Sequence, residues 1–341
     1  MSAADPTPVP SVAPLETRAA VGAALVDGHD ALLLDLDGVV YVGPHAVAHA
    51  VESIAAARSR GAVAAYVTNN AARPPAAVVD HLRVLGLEVD EHDVVTSAQA
   101  GAREVAARVP AGSRVLAVGG PGVATALAAR GLEPVTLASQ RPAAVLMGYG
   151  PDVSWRELAQ ASYAVGDGAL FVATNTDMSI PTDEGIAPGN GTLVGAVVAA
   201  TGKQPVVAGK PFAPLMLESV ERVGARSPLV VGDRLDTDIE AGHVSGIPSL
   251  LVLTGVTDVV GLLAAEPFRR PTYLAADLRG LLAPASTLAF LGAGEAADDG
   301  LAGLRAGCLR AWVAADAGLD DPTADVDVRR WTDDVAAALA R

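Results

Sequence analysis

The stretch Ala31–Tyr41 reads ALLLDLDGVVY. Four apolar residues run into two aspartates, Asp35 and Asp37, separated by one leucine, and Gly38 follows at once. A short continuous apolar run of this kind reads as a strand buried on both faces, the pattern of a parallel sheet. At strand spacing the i and i+2 side chains lie on the same side. Two carboxylates held close in a dry cleft force one pKa upward unless a cation intervenes. The placement therefore implies a bound metal, a shared proton, or both; the plain alternative is an Asp-Gly turn carrying two exposed acids. Gly38 lets the backbone turn tightly and come close to a ligand.

Outward from this stretch, short apolar runs alternate with alanine-rich segments of helical length: AVAHAVESIAAARSRG, then AVAAYVTNN, then AAVVDHLRVLGL, and later PLVVGD, TDIEAGHVSG and PSLLVLTG. This β–α alternation predicts an α/β fold with a Rossmann-like, doubly wound parallel sheet. In such sheets ligands bind beyond the carboxyl ends of the strands. Polar residues follow four apolar runs: DLD, then Thr68-Asn69-Asn70, then Gly209-Lys210-Pro211, then GDRLDTD over 232–238. One site assembled from four strand ends is the expectation. About 140 residues separate Thr68 from Lys210, too many for a loop, so an α/β domain is inserted there. The expected organisation is a flexible leader over 1–26, a discontinuous core over 27–84 and 186–283, an inserted domain over 85–185, and a small C-terminal α/β extension over 284–341. The extension reads as β–α–β, from STLAFLG, EAADDGLAGLRAG and CLRAWVAAD, followed by a terminal helix.

Composition bounds the function. The 341 residues carry a net charge of −15 and no basic cluster, which argues against nucleic acid or an anionic membrane surface as partner. No segment reads as a secretory signal or a membrane span, so a cytoplasmic protein is expected; homo-oligomerisation stays open. The single cysteine, Cys308, forms no internal disulfide and is read as a buried residue of a strand.

The other strand ends supply complementary chemistry. Asp233, Asp236 and Asp238 follow PLVVG, and hard cations such as Mg²⁺ take carboxylate oxygens of this kind. Asp236 and Asp238 also suit a helix N-terminus. Lys210 is one of two lysines against 22 arginines, which points to a place that wants a compact point charge instead of a planar fork. Thr68, Asn69 and Asn70 offer a hydroxyl, two amides and backbone N–H groups at a helix start, which suits phosphate.

With these four motifs in order, the chain resembles the haloacid dehalogenase (HAD) superfamily, through DLDGVV, VTNN, GKP and GDRLDTD. The long insertion looks like the C2-type cap of its type IIA branch, which contains nucleotide, phosphoglycolate, glycerol 3-phosphate and 4-nitrophenyl phosphatases. The resemblance covers about Leu32 to Leu282. It implies a Mg²⁺-dependent phosphomonoesterase with Asp35 as nucleophile, Asp37 as general acid and base, and Lys210 balancing charge. Mg²⁺ would be held by Asp35, Asp233 and the backbone carbonyl of Asp37, with Asp238 steadying them. Gly38, Thr68, Asn69, Asn70 and Lys210 would meet the phosphoryl group. The candidate specificity loop of the cap is ATNTDMSIPTDEG, Ala173 to Gly185, with Asn175, Asp177 and Ile180 as substrate contacts. The pyridoxal phosphatase branch tends to carry a histidine where Ile180 stands, which counts against pyridoxal phosphate. A small phosphorylated metabolite is the expected substrate, glycerol 3-phosphate first, with phosphoglycolate and nucleoside monophosphates behind.

Two readings of other classes compete. A non-catalytic phosphate-binding regulatory protein on the same fold is opposed by the intact acid pair, lysine and metal aspartate. A dinucleotide-binding oxidoreductase would use LGAGEAA in the extension with Asp316 as the ribose acid, but too little chain remains for a full nucleotide domain.

Overall fold

The computed structural model describes residues 23–182, 184–290, 300–318 and 328–340. Its strands in chain order are β1 (Ala31–Leu34), β2 (Tyr41–Val42), β3 (His45–Ala46), β4 (Val63–Thr68), β5 (Val94–Thr96), β6 (Arg114–Val118), β7 (Glu133–Val135), β8 (Ala144–Met147), β9 (Leu170–Ala173), β10 (Ser179–Thr182), β11 (Gly185–Pro188), β12 (Val206–Val207), β13 (Pro228–Gly232), β14 (Ser249–Val252) and β15 (Tyr273–Ala275). Six of them form one parallel sheet in the order β15-β14-β13-β1-β4-β5. A second, five-stranded parallel sheet runs β12-β9-β8-β6-β7. The doubly wound α/β expectation holds, with an inserted sheet of its own.

All four residues of β1 are buried. Leu32 and Leu34 join the core on one face of the sheet with Tyr66, Ile54 and Leu82, while Leu33 joins Leu215, Met216 and Val230 on the other. That is why the run does not alternate in polarity. From β1 the chain winds toward β4 and β5 on one side and reaches β13, β14 and β15 on the other. The crevice where the order reverses lies at the carboxyl end of β1, directly at Asp35.

Helix Ser97–Ala106 is shared by the two sheets. Ala98, Ala102 and Val105 pack into the inserted sheet, and Ala100 packs into the core. Its Gly101 lies so close that a Cβ there would sit 2.6 Å from Leu146.

The boundaries differ from the sequence reading in three places. Val94–Thr96, expected in the insertion, pairs with β4 in the first sheet. Helix Asn190–Thr201 and β12, expected in the core, belong to the insertion: Val194 and Val197 fill its hydrophobic layer, and β12 pairs with β9. Lys210 thus arrives from an edge strand of the second sheet, and only three of the four strand ends belong to the first. At the N-terminus, residues 1–22 of the expected leader lie outside the described residues, but Leu25 and Val26 are buried and Ala24 bridges to Pro284, so 23–26 are part of the core.

The extension is helical where described. Helices Ala285–Leu288, Ala302–Asp316 and Val328–Leu339 replace the expected β–α–β unit. Leu301, Leu304, Cys308, Ala311 and Trp312 are buried against Leu251, Leu262 and Leu274, a spacing of three and four residues that marks a helix face. Cys308 is buried as expected, on a helix and not a strand, and burial pushes its thiol up to about 12. Asp316 is taken by Arg270 through two 2.7 Å contacts, and LGAGEAA lies outside the described residues. Among the described residues no helix is long and apolar enough to cross a membrane.

Candidate active site

At the carboxyl end of β1 the backbone N–H of Asp35 still donates to Val231 at 2.9 Å, so strand pairing fixes its Cα. Its carboxylate accepts from Lys210 Nζ at 2.5 Å, and Lys210 Nζ also donates to Asp238 Oδ1 at 2.6 Å. Lys210, Asp233 and Asp238 are all buried. Burial opposes the charge on Lys210, but the Asp238 and Asp35 carboxylates more than offset it and hold the ammonium above its ordinary range. Asp35 is raised well above the usual carboxylate range, by burial first; Lys210 counters that, and Asp238 and Asp233 add to it.

Asp233, at the end of β13, accepts from Val256 N–H at 2.7 Å through Oδ2, while its Oδ1 is buried with no hydrogen-bond partner. Two glycines face this carboxylate. A Cβ at Gly255 would sit 1.9 Å from Asp233 Oδ2 and one at Gly38 2.6 Å from it. Gly38 also has φ +85°, a conformation that favours glycine. Carboxylate oxygens of Asp35, Asp233 and Asp238 lie within 4.8 Å of one another. An orphaned buried oxygen beside two further carboxylates is a donor set that fits a hard divalent cation such as Mg²⁺. Asp238 is engaged through both oxygens, by Lys210 on Oδ1 and by Arg234 N–H (3.2 Å) and Thr237 (3.5 Å) on Oδ2.

Asp37 stands at the rim and is exposed. The surrounding protein still raises its carboxyl above the usual range, countered by Arg73, Lys210 and His81. Thr68 is buried and accepts from Asn70 N–H at 3.1 Å, which leaves its own hydroxyl hydrogen to give away. Asn70 closes a turn by accepting from Ala72 N–H at 2.9 Å.

Two amides behave differently from expectation. Asn69, expected at the phosphoryl group, turns its side chain to the backbone of Lys210 and to Asp177. Asn175, expected at the substrate, is buried and donates to the backbone carbonyl of Asn69 at 2.7 Å. Asp177 reaches the site through Asn69, whereas Ile180 lies in the hairpin β10–β11, paired with Ala187. Sequence reasoning missed Gly255, Val256 and Asn190. Asn190 donates to the carbonyl of Asn175 at 2.7 Å, and a Cβ at Gly189 or Gly191 would meet the carbonyls of Asp177 or Thr176 at 2.3 and 2.2 Å. The readable signal was the G-N-G triplet opening a helix.

Residues 32–133 match the haloacid dehalogenase-like hydrolase family and residues 207–281 match the HAD-hydrolase-like family. The D-glycerol 3-phosphate phosphatase of Mycobacterium tuberculosis is 45% identical over 258 residues, 76% of this chain and 72% of that protein. The chain belongs to the haloacid dehalogenase-like hydrolases. The crystal structure of the glycerol phosphate phosphatase from M. tuberculosis in complex with magnesium superposes with a TM-score of 0.82 at 42% identity, covering 91% of this chain and 98% of that one. A 5'-nucleotidase of Bacillus subtilis is 35% identical over 227 residues, 66% of this chain and 87% of that protein. This HAD protein is a phosphatase of the type IIA-like group, with an acidic metal site at the carboxyl end of its core sheet.

The metal site has a titration signature. Asp233 is pushed up to about 6, by burial first and by the Asp238 carboxylate next. A carboxyl raised in the folded state keeps its proton between about pH 4 and its folded value, where the unfolded chain has lost it. Folding stability of the metal-free HAD protein therefore falls as pH rises toward about 6 and stays lowered above that. Mg²⁺ held by the ionised carboxylates would offset the loss. Thermal melts are expected to rise by several degrees with Mg²⁺ at about pH 8 and to be unmoved at about pH 4.5. An equal rise at both values would remove the assignment of Asp233 as a ligand.

Proposed function

We propose that this HAD phosphatase hydrolyses glycerol 3-phosphate with Mg²⁺ bound at Asp35, Asp233 and the backbone carbonyl of Asp37. The observation that carries the chemistry is the short Asp35–Lys210–Asp238 chain of charges beside the unpartnered Asp233 oxygen. The substrate reading is supported by the 45% identity to the mycobacterial D-glycerol 3-phosphate phosphatase.

Asp35 Oδ attacks phosphorus, and the bond from phosphorus to the substrate's alkoxide oxygen breaks. Asp37 gives its proton to that oxygen, since an alkoxide leaves poorly unprotonated. The raised pKa of Asp37 keeps more of the acid form available near neutral pH. Asp37 then takes a proton from water, which attacks the aspartyl-phosphate and returns Asp35 and free phosphate. A phosphate dianion and a carboxylate repel each other. Lys210 screens that approach, and Thr68, whose oxygen already accepts from Asn70 N–H, donates its hydroxyl hydrogen to a phosphoryl oxygen. Mg²⁺, when bound, supplies further screening of the phosphoryl charge.

Phosphate release across a panel of glycerol 3-phosphate, phosphoglycolate, nucleoside monophosphates and sugar phosphates, with Mg²⁺ and with EDTA, tests this reading. Glycerol 3-phosphate is expected to give the highest kcat/KM, and EDTA to abolish turnover. A nucleotide giving the highest value would overturn the substrate; undiminished turnover in EDTA would overturn the metal.

A further inference from the structure

The carboxamide of Asn69 makes three hydrogen bonds, and two of them close on a single residue. Its Oδ1 accepts from Lys210 N–H at 2.8 Å, and its Nδ2 donates to the Lys210 carbonyl at 3.1 Å. Nδ2 spends its other hydrogen on Asp177 Oδ2 at 3.2 Å. Every donor of the amide is used, and the amide can sit only this way round: flipped, it would point N–H groups at the Lys210 N–H and its oxygen at two acceptors. The backbone makes room for it, since a Cβ at Gly209 would stand 2.6 Å from Asn69 Oδ1. The main-chain carbonyl of Asn69 is held as well, by Ser97 Oγ at 2.5 Å and Asn175 Nδ2 at 2.7 Å.

Lys210 needs such a clamp. It follows a two-residue edge strand of the inserted sheet, so ladder pairing in the core sheet, which fixes Asp35, does not fix the lysine. Its ammonium must nevertheless reach Asp35 on the other sheet. The amide of Asn69, on the loop after β4 of the core, bridges that gap, and Asp177 on the cap loop is the third point of the same amide.

We propose that Asn69 is a positioning residue that sets the Lys210 backbone against Asp35, and that Asp177 acts by orienting this amide and not by touching substrate. Docking of the cap loop and placement of the charge-balancing lysine are then one event. The inference rests on the role given to Lys210 above. A group that orients reacting charges without contacting substrate lowers kcat and leaves KM nearly alone. Two residues acting through one amide are not additive.

The test is steady-state kinetics on glycerol 3-phosphate and on a small aryl phosphate, with wild type and Lys210→Met alongside. Asn69→Ala is expected to lower kcat about 100-fold and Asp177→Ala about 10-fold, each with KM within about 3-fold, on both substrates. The double variant is expected to be no slower than Asn69→Ala alone. Asp177→Asn, whose amide oxygen accepts the same bond, is expected to recover most of the Asp177→Ala loss. Thermal melts taken with Mg²⁺ separate loss of fold from loss of orientation. Should a single variant prove unfolded, Asn69→Ser and Asp177→Leu, which lose the same bonds, carry the same comparison. A rise in KM for glycerol 3-phosphate alone in Asp177→Ala would make it a substrate contact and overturn the proposal, as would losses that multiply in the double variant. Wild type active with these outcomes leaves the phosphatase reading standing; no turnover by wild type of any ester overturns both.

Discussion

Asp35→Asn is expected to lower kcat by at least about 10⁴-fold, and acid-quenched single turnovers are expected to trap phosphorylated protein from wild type and none from the variant. The substitution is close to isosteric. The amide oxygen still accepts from Lys210, and the backbone bond to Val231 is untouched. What disappears is the negative charge and with it the proposed nucleophile. The same change relieves the fold. Asp35 is largely enclosed beside Asp238 and Asp233, both of which make its ionisation harder. Metal-free Asp35→Asn is therefore expected to melt no lower than wild type, while the gain from Mg²⁺ shrinks. Loss of activity with retained stability separates chemistry from folding. Retained turnover would mean that some other group attacks phosphorus.

Much of this was legible in the chain because strands of a parallel core announce themselves. Leu32, Leu33 and Leu34 face opposite layers yet are all apolar, and the acids at their end have nowhere to go except the crevice. Motifs at strand ends are legible for the same reason. Side-chain direction is not. Asn69 and Asn175 sit in the right segments, but whether an amide faces ligand or backbone depends on partners more than 100 residues away. Sheet membership of a two-residue strand such as β12 is equally invisible, since its pairing partner β9 contributes the order that its own length cannot. The extension failed for a different reason. CLRAWVAAD is short and apolar, and periodicity over nine residues does not separate a strand from a helix face. Extending the window back to Leu301 would have exposed the three-and-four spacing. Gly255 stood at the end of the quoted PSLLVLTG all along; only the position of Asp233 gives its missing side chain a meaning.

Lys210→Met is the second change expected to be severe, and it acts on both activity and stability. The ammonium is enclosed between two carboxylates at 2.5 and 2.6 Å, with the side chain 4% exposed. Methionine fills nearly the same volume and removes the charge. The enclosed Asp35 and buried Asp238 carboxylates then face each other and Asp233 without a cation. Breaking a buried ion pair from one side typically costs about 3–5 kcal/mol, and here part of that is avoided by protonation, because Asp35 already binds its proton more tightly than an exposed acid. The metal-free variant is thus expected to melt well below wild type near neutral pH and to recover as pH falls, the opposite of ordinary acid denaturation. Mg²⁺ is expected to restore stability, since a divalent ion meets the same carboxylates, but not turnover. The phosphoryl dianion must still approach Asp35 without the ammonium, at an expected loss of at least about 10³-fold in kcat. Lys210→Arg keeps the charge and is expected to fail as well. The planar guanidinium is larger than the ammonium, and the pocket around Nζ, closed by Asp35, Asp238 and the Val67 carbonyl at 3.4 Å, has no space for it. Full activity in Lys210→Arg would show that charge alone suffices. Turnover within 10-fold of wild type in Lys210→Met would show that the lysine only holds the fold together.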